Sequence, residues 1–185
     1  ILNLESGTVQ VLIDDFVVKA LWSPSGDAFA YILATDTTYE LHWHTLEGYD
    51  RIVAHDVSFT WSIAPSGQAV AFTRESGYEL DIEPGLYVVD LVSGEEVMIA
   101  DVDKQGTGSI VDQPYWSPDS SEVILSHWGG PDNTRLILAM ADGSGSIDLS
   151  VDDEFAFEWW ATDACTELIW DVSGQHVLMV SPVTS

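Results

Sequence analysis

The sequence predicts an all-β fold made of repeated antiparallel hairpins. Three observations carry that prediction: a Trp-anchored motif recurs four times, each copy reads as strand, tight turn, strand, and no window sustains a helical apolar period. The copies are Trp22-Ser-Pro-Ser-Gly-Asp-Ala-Phe-Ala-Tyr-Ile32, Trp61-Ser-Ile-Ala-Pro-Ser-Gly-Gln-Ala-Val-Ala-Phe72, Trp116-Ser-Pro-Asp-Ser-Ser-Glu-Val-Ile-Leu125 and Trp170-Asp-Val-Ser-Gly-Gln-His-Val-Leu-Met-Val180. Their tryptophans are 39, 55 and 54 residues apart. The second copy reads as carrying two extra residues, Ile63 and Ala64, before its proline, and the fourth has Val172 in place of proline.

Taken in order, Ile1–Leu4 and Thr8–Ile13 flank Ser6-Gly7 as a first strand–turn–strand unit. In the first three motifs the proline pre-sets the first turn position, and Gly26, Gly67 and Gly174 supply the positive φ that reverses the chain. Ser121 is read as replacing that glycine in the third copy. The apolar stretch after each turn, such as Ala28–Ile32, is too short for a helix and suits a buried strand. A second hairpin follows at similar offsets: Glu40–Leu46 with Gly48, Gly85–Leu91 with Ser93-Gly94, and Arg135–Met140 with Asp142-Gly143. Four strands in about 40–55 residues is the size of a propeller blade. The sequence therefore predicts a β-propeller of four-stranded antiparallel blades with about four blade equivalents across residues 1–185: a half-blade at 1–13, blades near 16–54, 57–100 and 110–149, and a half-blade at 165–181. Glu75–Pro84 and the stretch opening at Ser150–Glu154 are irregular insertions. Trp22, Trp61, Trp116 and Trp170 are expected at equivalent positions packing blade on blade, each ending a strand; Trp43, Trp128, Trp159 and Trp160 fall outside that register.

Composition bounds the rest. Of 185 residues 46% are hydrophobic, which is ample for a core, and no apolar run approaches the ~20 residues of a membrane helix. Thirty-one acidic residues against five basic ones give a formal net charge of -26. Such a surface repels phosphate backbones and anionic lipid, so nucleic acid and membrane insertion are not expected. The same acidity suits a saline or extracellular setting and resists aggregation. The chain opens on Ile1 without a targeting segment, which reads as a processed piece or a part of a longer chain.

Trp116-Ser-Pro-Asp-Ser and Leu86-Tyr-Val-Val-Asp-Leu-Val-Ser-Gly94 carry a family likeness. The recurring Trp-Ser-Pro-Ser/Asp-Gly turn, with a strand ending in Asp-Leu-x-Ser-Gly, resembles the TolB-type (WSPDG-repeat) β-propeller across essentially the whole chain. The resemblance implies a propeller of the kind found in periplasmic adaptors, in secreted or lipid-anchored proteins, and in the gating domains of prolyl-oligopeptidase-like peptidases. It also implies more blades than four repeats supply, hence an arc of a larger ring.

The search for chemistry names candidates without assigning a site. The nucleophile elbow Gly-x-Ser-x-Gly is absent, and Gly106-Thr-Gly-Ser109 and Gly143-Ser-Gly-Ser146 do not supply it. No Gly-rich phosphate loop precedes a helix, and Cys165 reads as an incidental thiol. His42-Trp43-His44 places two imidazoles on one strand face, and a metal site would need His55, His127 or an Asp as a third ligand; two hydrogen-bonded histidines are the plainer reading. Asp14-Asp15, Asp101-Val-Asp103 and Asp152-Asp153-Glu154 do not match an EF-hand loop and read as solvated charge. No catalytic, cofactor-binding or metal residue is assigned, no cofactor is expected, and the chain is read as a non-enzyme. The expected function is a protein-binding or scaffolding module of the periplasm, cell envelope or exterior, with a protein partner contacted through aromatic loops such as Ser126–Pro131 and Phe155–Trp160. The alternative is the gating propeller of a larger prolyl-oligopeptidase-like hydrolase.

Overall fold

The computed structural model describes residue 1 and residues 4–74, 83–101, 110–111, 113–128, 134–149 and 167–180. Every regular element among them is a strand, and all pairings are antiparallel. Blade A comprises β1 (Val17–Trp22), β2 (Ala28–Ala34), β3 (Tyr39–Thr45) and β4 (Asp50–His55) in sequential order. Blade B repeats this with β5 (Trp61–Ile63), β6 (Ala69–Arg74), β7 (Gly85–Asp90) and β8 (Glu96–Asp101). In blade C the innermost strand is split into β9 (Ile110–Val111) and β10 (Tyr115–Trp116), both paired with β11 (Glu122–Trp128), followed by β12 (Thr134–Met140) and β13 (Ser146–Asp148). Pro114, which has no N–H for the ladder, lies in that break. Unit D is the hairpin β14 (Glu167–Trp170) and β15 (Val177–Val180).

One turn is built four times. Ser23, Ala64, Ser117 and Asp171 each donate their N–H across the hairpin, to the carbonyls of Ala28, Ala69, Glu122 and His176 at 2.9 Å. Each also accepts from the residue three further on: Gly26, Gly67, Ser120 and Gly174. These hydrogen bonds correct two readings of the sequence. The residue at the glycine position of blade C is Ser120, at φ 65°, not Ser121. The residue of blade B equivalent to Trp22, Trp116 and Trp170 is Ile63, since it immediately precedes the turn. Trp61 opens β5 two residues earlier, so Ile63 and Ala64 are not an insertion but the ordinary run into the turn. Two residues along a strand is one face, so Trp61 still packs in the same direction as its counterparts.

Alternation then sorts each blade into a leading face, toward the preceding unit, and a trailing face. The trailing face of blade A (Ala30, Ile32, Leu41, Ala54) packs on the leading face of blade B (Trp61, Val70, Phe72, Tyr87, Val89). The trailing face of blade B (Ala71, Leu86, Val88, Ala100) meets Trp116, Val123, Leu125, Ile137 and Ala139 of blade C. Ile124, Leu136 and Tyr115 of blade C meet Leu168, Trp170 and Val177 of unit D. Three apolar layers between successive sheets are therefore the core. Polar bonds fix their register: the Trp116 indole N–H donates to Ser62 O at 3.2 Å, the Trp170 indole N–H to Tyr115 O at 3.3 Å, and Ser62 Oγ–H to Pro114 O at 2.6 Å. Blade B has no tryptophan at that position. There Trp61 is fully buried, with Lys19 Nζ 5.0 Å over its ring and donating to its carbonyl at 3.2 Å.

Candidate binding face

The leading face of blade A has no sheet packed on it among the described residues. Its side chains follow from register: Trp22 pairs with Phe29, Phe29 with His44 and His44 with Asp50, while Ala20 pairs with Tyr31, Tyr31 with His42 and His42 with Ile52. Rings line the face in contact. Trp22 meets Phe29 edge-on at 5.6 Å, Phe29 tilts over His44 at 5.0 Å, and Tyr31 stacks on His42 at 4.8 Å. Residues 9–13, Ile1 and this face enclose a groove of about 550 Å³, walled by Val9, Val11, Leu12 and Ile13 on one side and Trp22, Phe29 and Tyr31 on the other. Its aromatic wall is open at Trp22, which is 51% exposed. Trp22 thus departs from the expectation that all four motif tryptophans are core: it holds the packing position, but among the described residues no sheet covers it.

Beside the aromatic wall lies a polar network. His42 and His44 point to one face, as the period of two requires, and both are buried. Asp50, from β4, stands between them, with Oδ2 3.5 Å from His42 Nδ1 and Oδ1 3.5 Å from His44 Nδ1, and neither nitrogen makes a hydrogen bond to it. His42 Nε2 lies 3.3 Å from Glu40, which also reaches His55 Nδ1 at 3.3 Å. The Tyr31 hydroxyl donates to Asp50 Oδ2 at 3.0 Å, and burial, reinforced by that carboxylate, pushes the phenol well above its ordinary range. Tyr31 is thereby kept a neutral donor.

Of the third ligands the sequence suggested, His55 goes to Glu40 and the His127 side chain lies outside the described residues; the Asp it left unspecified is Asp50, which approaches the histidine pair. No group of three or more His, Cys, Asp or Glu is arranged to hold a metal ion among the described residues. Asp103, Asp152, Asp153, Glu154, Cys165 and Phe155–Trp160 lie outside the described residues, as do Gly129–Pro131. Sequence reasoning passed over Phe29, Tyr31 and Asp50. The alternation within Ala28–Ala34 places Phe29 and Tyr31 together opposite Ala30 and Ile32, but only the neighbouring sheets decide which set is left open.

No protein-family model matches the sequence, and neither does any curated protein. Among solved structures, TolB from Acinetobacter baumannii is similar at 15% identity with a TM-score of 0.58, over 91% of this chain and 38% of that one. A TolB-like structure from Agrobacterium tumefaciens is 18% identical with a TM-score of 0.53, over 72% of this chain and 46% of its own. A prolyl endopeptidase structure is 22% identical with a TM-score of 0.53, over 72% of this chain and 22% of that protein. The chain spans less than half the length of each. It has the all-β fold of a TolB-type propeller, arranged as an arc of blades, a fold shared by TolB and by propeller domains of peptidases.

Proposed function

We propose that this chain is a non-catalytic protein-binding or scaffolding module of the cell envelope or exterior, working as an arc of a TolB-type propeller. The observation that carries the reading is the leading face of blade A, where a half-exposed tryptophan, two further rings and an apolar groove form one surface. Aromatic anchors beside a pocket are the composition of protein-recognition hot spots. The sequence lacks a nucleophile elbow, and a net charge of -26 disfavours nucleic acid and anionic lipid, which leaves proteins as the partners the surface suits. The periplasmic or extracellular placement follows the likeness to TolB and the acidity. The test pairs two measurements on the purified chain. Capture of envelope proteins should be lost in Trp22→Ala, and ester, peptide and glycoside substrates should not be turned over. Turnover abolished by one point substitution overturns the reading.

The likeness to a prolyl endopeptidase favours a second reading, in which the arc is part of the gating propeller of a larger hydrolase. A contiguous α/β segment carrying Gly-x-Ser-x-Gly in the same gene decides for it.

A further inference from the structure

We propose that the end of the sheets carrying the motif turns docks a basic polypeptide segment, through apolar side chains set among carboxylates. This surface is separate from the leading face of blade A and runs along the whole arc. Sequential antiparallel strands alternate in direction, so the β1–β2 and β3–β4 turns of a blade lie at one end of its sheet. Contacts between blades bring these ends side by side. A Cβ on Gly67 would meet Pro24 Cδ at 3.6 Å, one on Gly174 would meet Pro118 Cδ at 3.7 Å, and the Ser66 N–H donates to Ser120 Oγ at 3.0 Å. Farther out, Gly94 stands against Arg51 and Gly143 against Val97. Inner and outer turns thus form two adjoining rows. Main-chain hydrogen bonds hold each turn, so the surface is ordered before a partner arrives.

The second residue of every motif turn is apolar and exposed: Pro24, Pro65, Pro118 and, 97% exposed, Val172. The outer turns add Leu46, Tyr49 and Val92, at 52%, 60% and 80%. Proline has its own reason to stand in a turn, but valine, leucine and tyrosine do not, and solvent gives them none. Carboxylates share these turns: Asp27, Glu47, Glu95, Asp119 and Asp142 are all exposed. The Ser25, Ser117 and Ser144 side chains hold Asp27, Asp119 and Asp142 below the ordinary carboxylate range, so this end keeps its charge at mildly acidic pH. The one Lys or Arg beside the turns is Arg51, which points inward and donates to Leu91 O. His176, in the turn of unit D, is paired with Asp171 at 3.1 Å. A Lys- and Arg-rich segment with interspersed apolar residues complements both the charge and the exposed apolar side chains, whereas an acidic partner is repelled.

The experiment titrates the whole chain with a synthetic peptide alternating lysine with valine and tyrosine, read by calorimetry and by amide chemical shifts. Two variants of equal net charge separate this surface from the charge of the chain as a whole. Glu47→Gln, Glu95→Gln and Asp142→Asn are combined at the turn end, and Asp36→Asn, Glu83→Gln and Asp101→Asn at the opposite end. All six side chains are exposed, so both variants retain the fold, checked by far-UV circular dichroism. The turn-end variant should bind at least about tenfold more weakly than wild type, and the opposite-end variant within about twofold. Tyr49→Ser with Val92→Ser, which alters no charge, should cost about tenfold and keep that deficit as salt is raised. Shifts should map to residues 24–27, 46–49, 65–68, 92–95, 118–121 and 142–145. Absence of binding, equal weakening by the two charge variants, or an unaffected Tyr49/Val92 variant each overturn the proposal. A peptide that shifts only the leading face around Trp22 overturns this surface while sparing the protein-binding reading above.

Discussion

Replacing Trp61 by alanine tests the blade-on-blade packing at the place where sequence and structure disagree. The side chain is fully buried between blades A and B, among Ile32, Leu41, Val70 and Phe72. Truncating a buried tryptophan costs about 3–5 kcal/mol in lost transfer energy and residual cavity. The Lys19 ammonium, 5.0 Å over the ring, adds about 0.5–1 kcal/mol that is lost with it. For a chain of 185 residues each kcal/mol moves the melting temperature by about 2–4 °C, so the expected drop is on the order of 7–24 °C. Ile63 is only partly buried, and Ile63→Ala should cost no more than about 2 kcal/mol. The assay is thermal and urea unfolding of the three proteins side by side, followed by tryptophan fluorescence and circular dichroism. A Trp61→Ala loss below about 1 kcal/mol, or a larger loss for Ile63→Ala, refutes the assignment of Trp61 to this layer.

Gly26 and Gly143 share a positive φ, yet a Cβ on Gly26 meets nothing within 4 Å while one on Gly143 would sit 2.6 Å from Val97 Cγ2 of blade B. Gly26→Ala should therefore cost about 1–2 kcal/mol of backbone strain and Gly143→Ala about 1–3 kcal/mol more, and equal urea midpoints would contradict the inter-blade contact. The turn carboxylates are held below their ordinary range: Asp90 by the Ser93 and Val92 amides, Asp119 by the Ser117 and Ser121 hydroxyls, and Asp171 by Ser173 and His176. A depressed folded-state carboxyl stabilises above the unfolded value near 4 and loses that stabilisation as pH falls through and below it, so melting temperatures should drop from about pH 4 downward, less steeply in Asp90→Asn. Raising salt from 0.01 to 1 M shortens the Debye length from ~30 to ~3 Å, and with a net charge of -26 the melting temperature should climb; a flat series would contradict self-repulsion as a factor.

Much of the architecture is legible because its determinants are local. The short apolar runs Ala28–Ala34 and Gly85–Asp90 and the turn glycines place strands and reversals with little help from the tertiary structure. His42 and His44 share a face for the same reason. What is not legible depends on other sheets. Aligning tryptophan with tryptophan makes Ile63-Ala64 an insertion, whereas the turn hydrogen bonds align Pro65 with Pro24 and Pro118 and carry Trp61 two residues back. Asp50 reaches the histidines because β4 pairs with β3 across a bulge between Leu41 and His42, a register no spacing announces. Trp22 shares Trp-Ser-Pro with Trp116, yet it is half exposed while Trp116 is buried, because among the described residues no sheet packs on its face.

The central claim is that one interface, a leading-face tryptophan against the sheet before it, is repeated along the arc, and that among the described residues the same face of blade A is uncovered. Hydrogen exchange of the indole N–H groups, read by NMR on tryptophan-labelled protein, measures it directly. In dilute solution the indoles of Trp61 and Trp116, buried between blades, should exchange slowly, with Trp170 slowed by its bond to Tyr115 O and Trp22 fast. A Trp22 indole as protected as that of Trp116 in dilute solution, or a Trp116 indole that exchanges as fast as Trp22, would contradict the account.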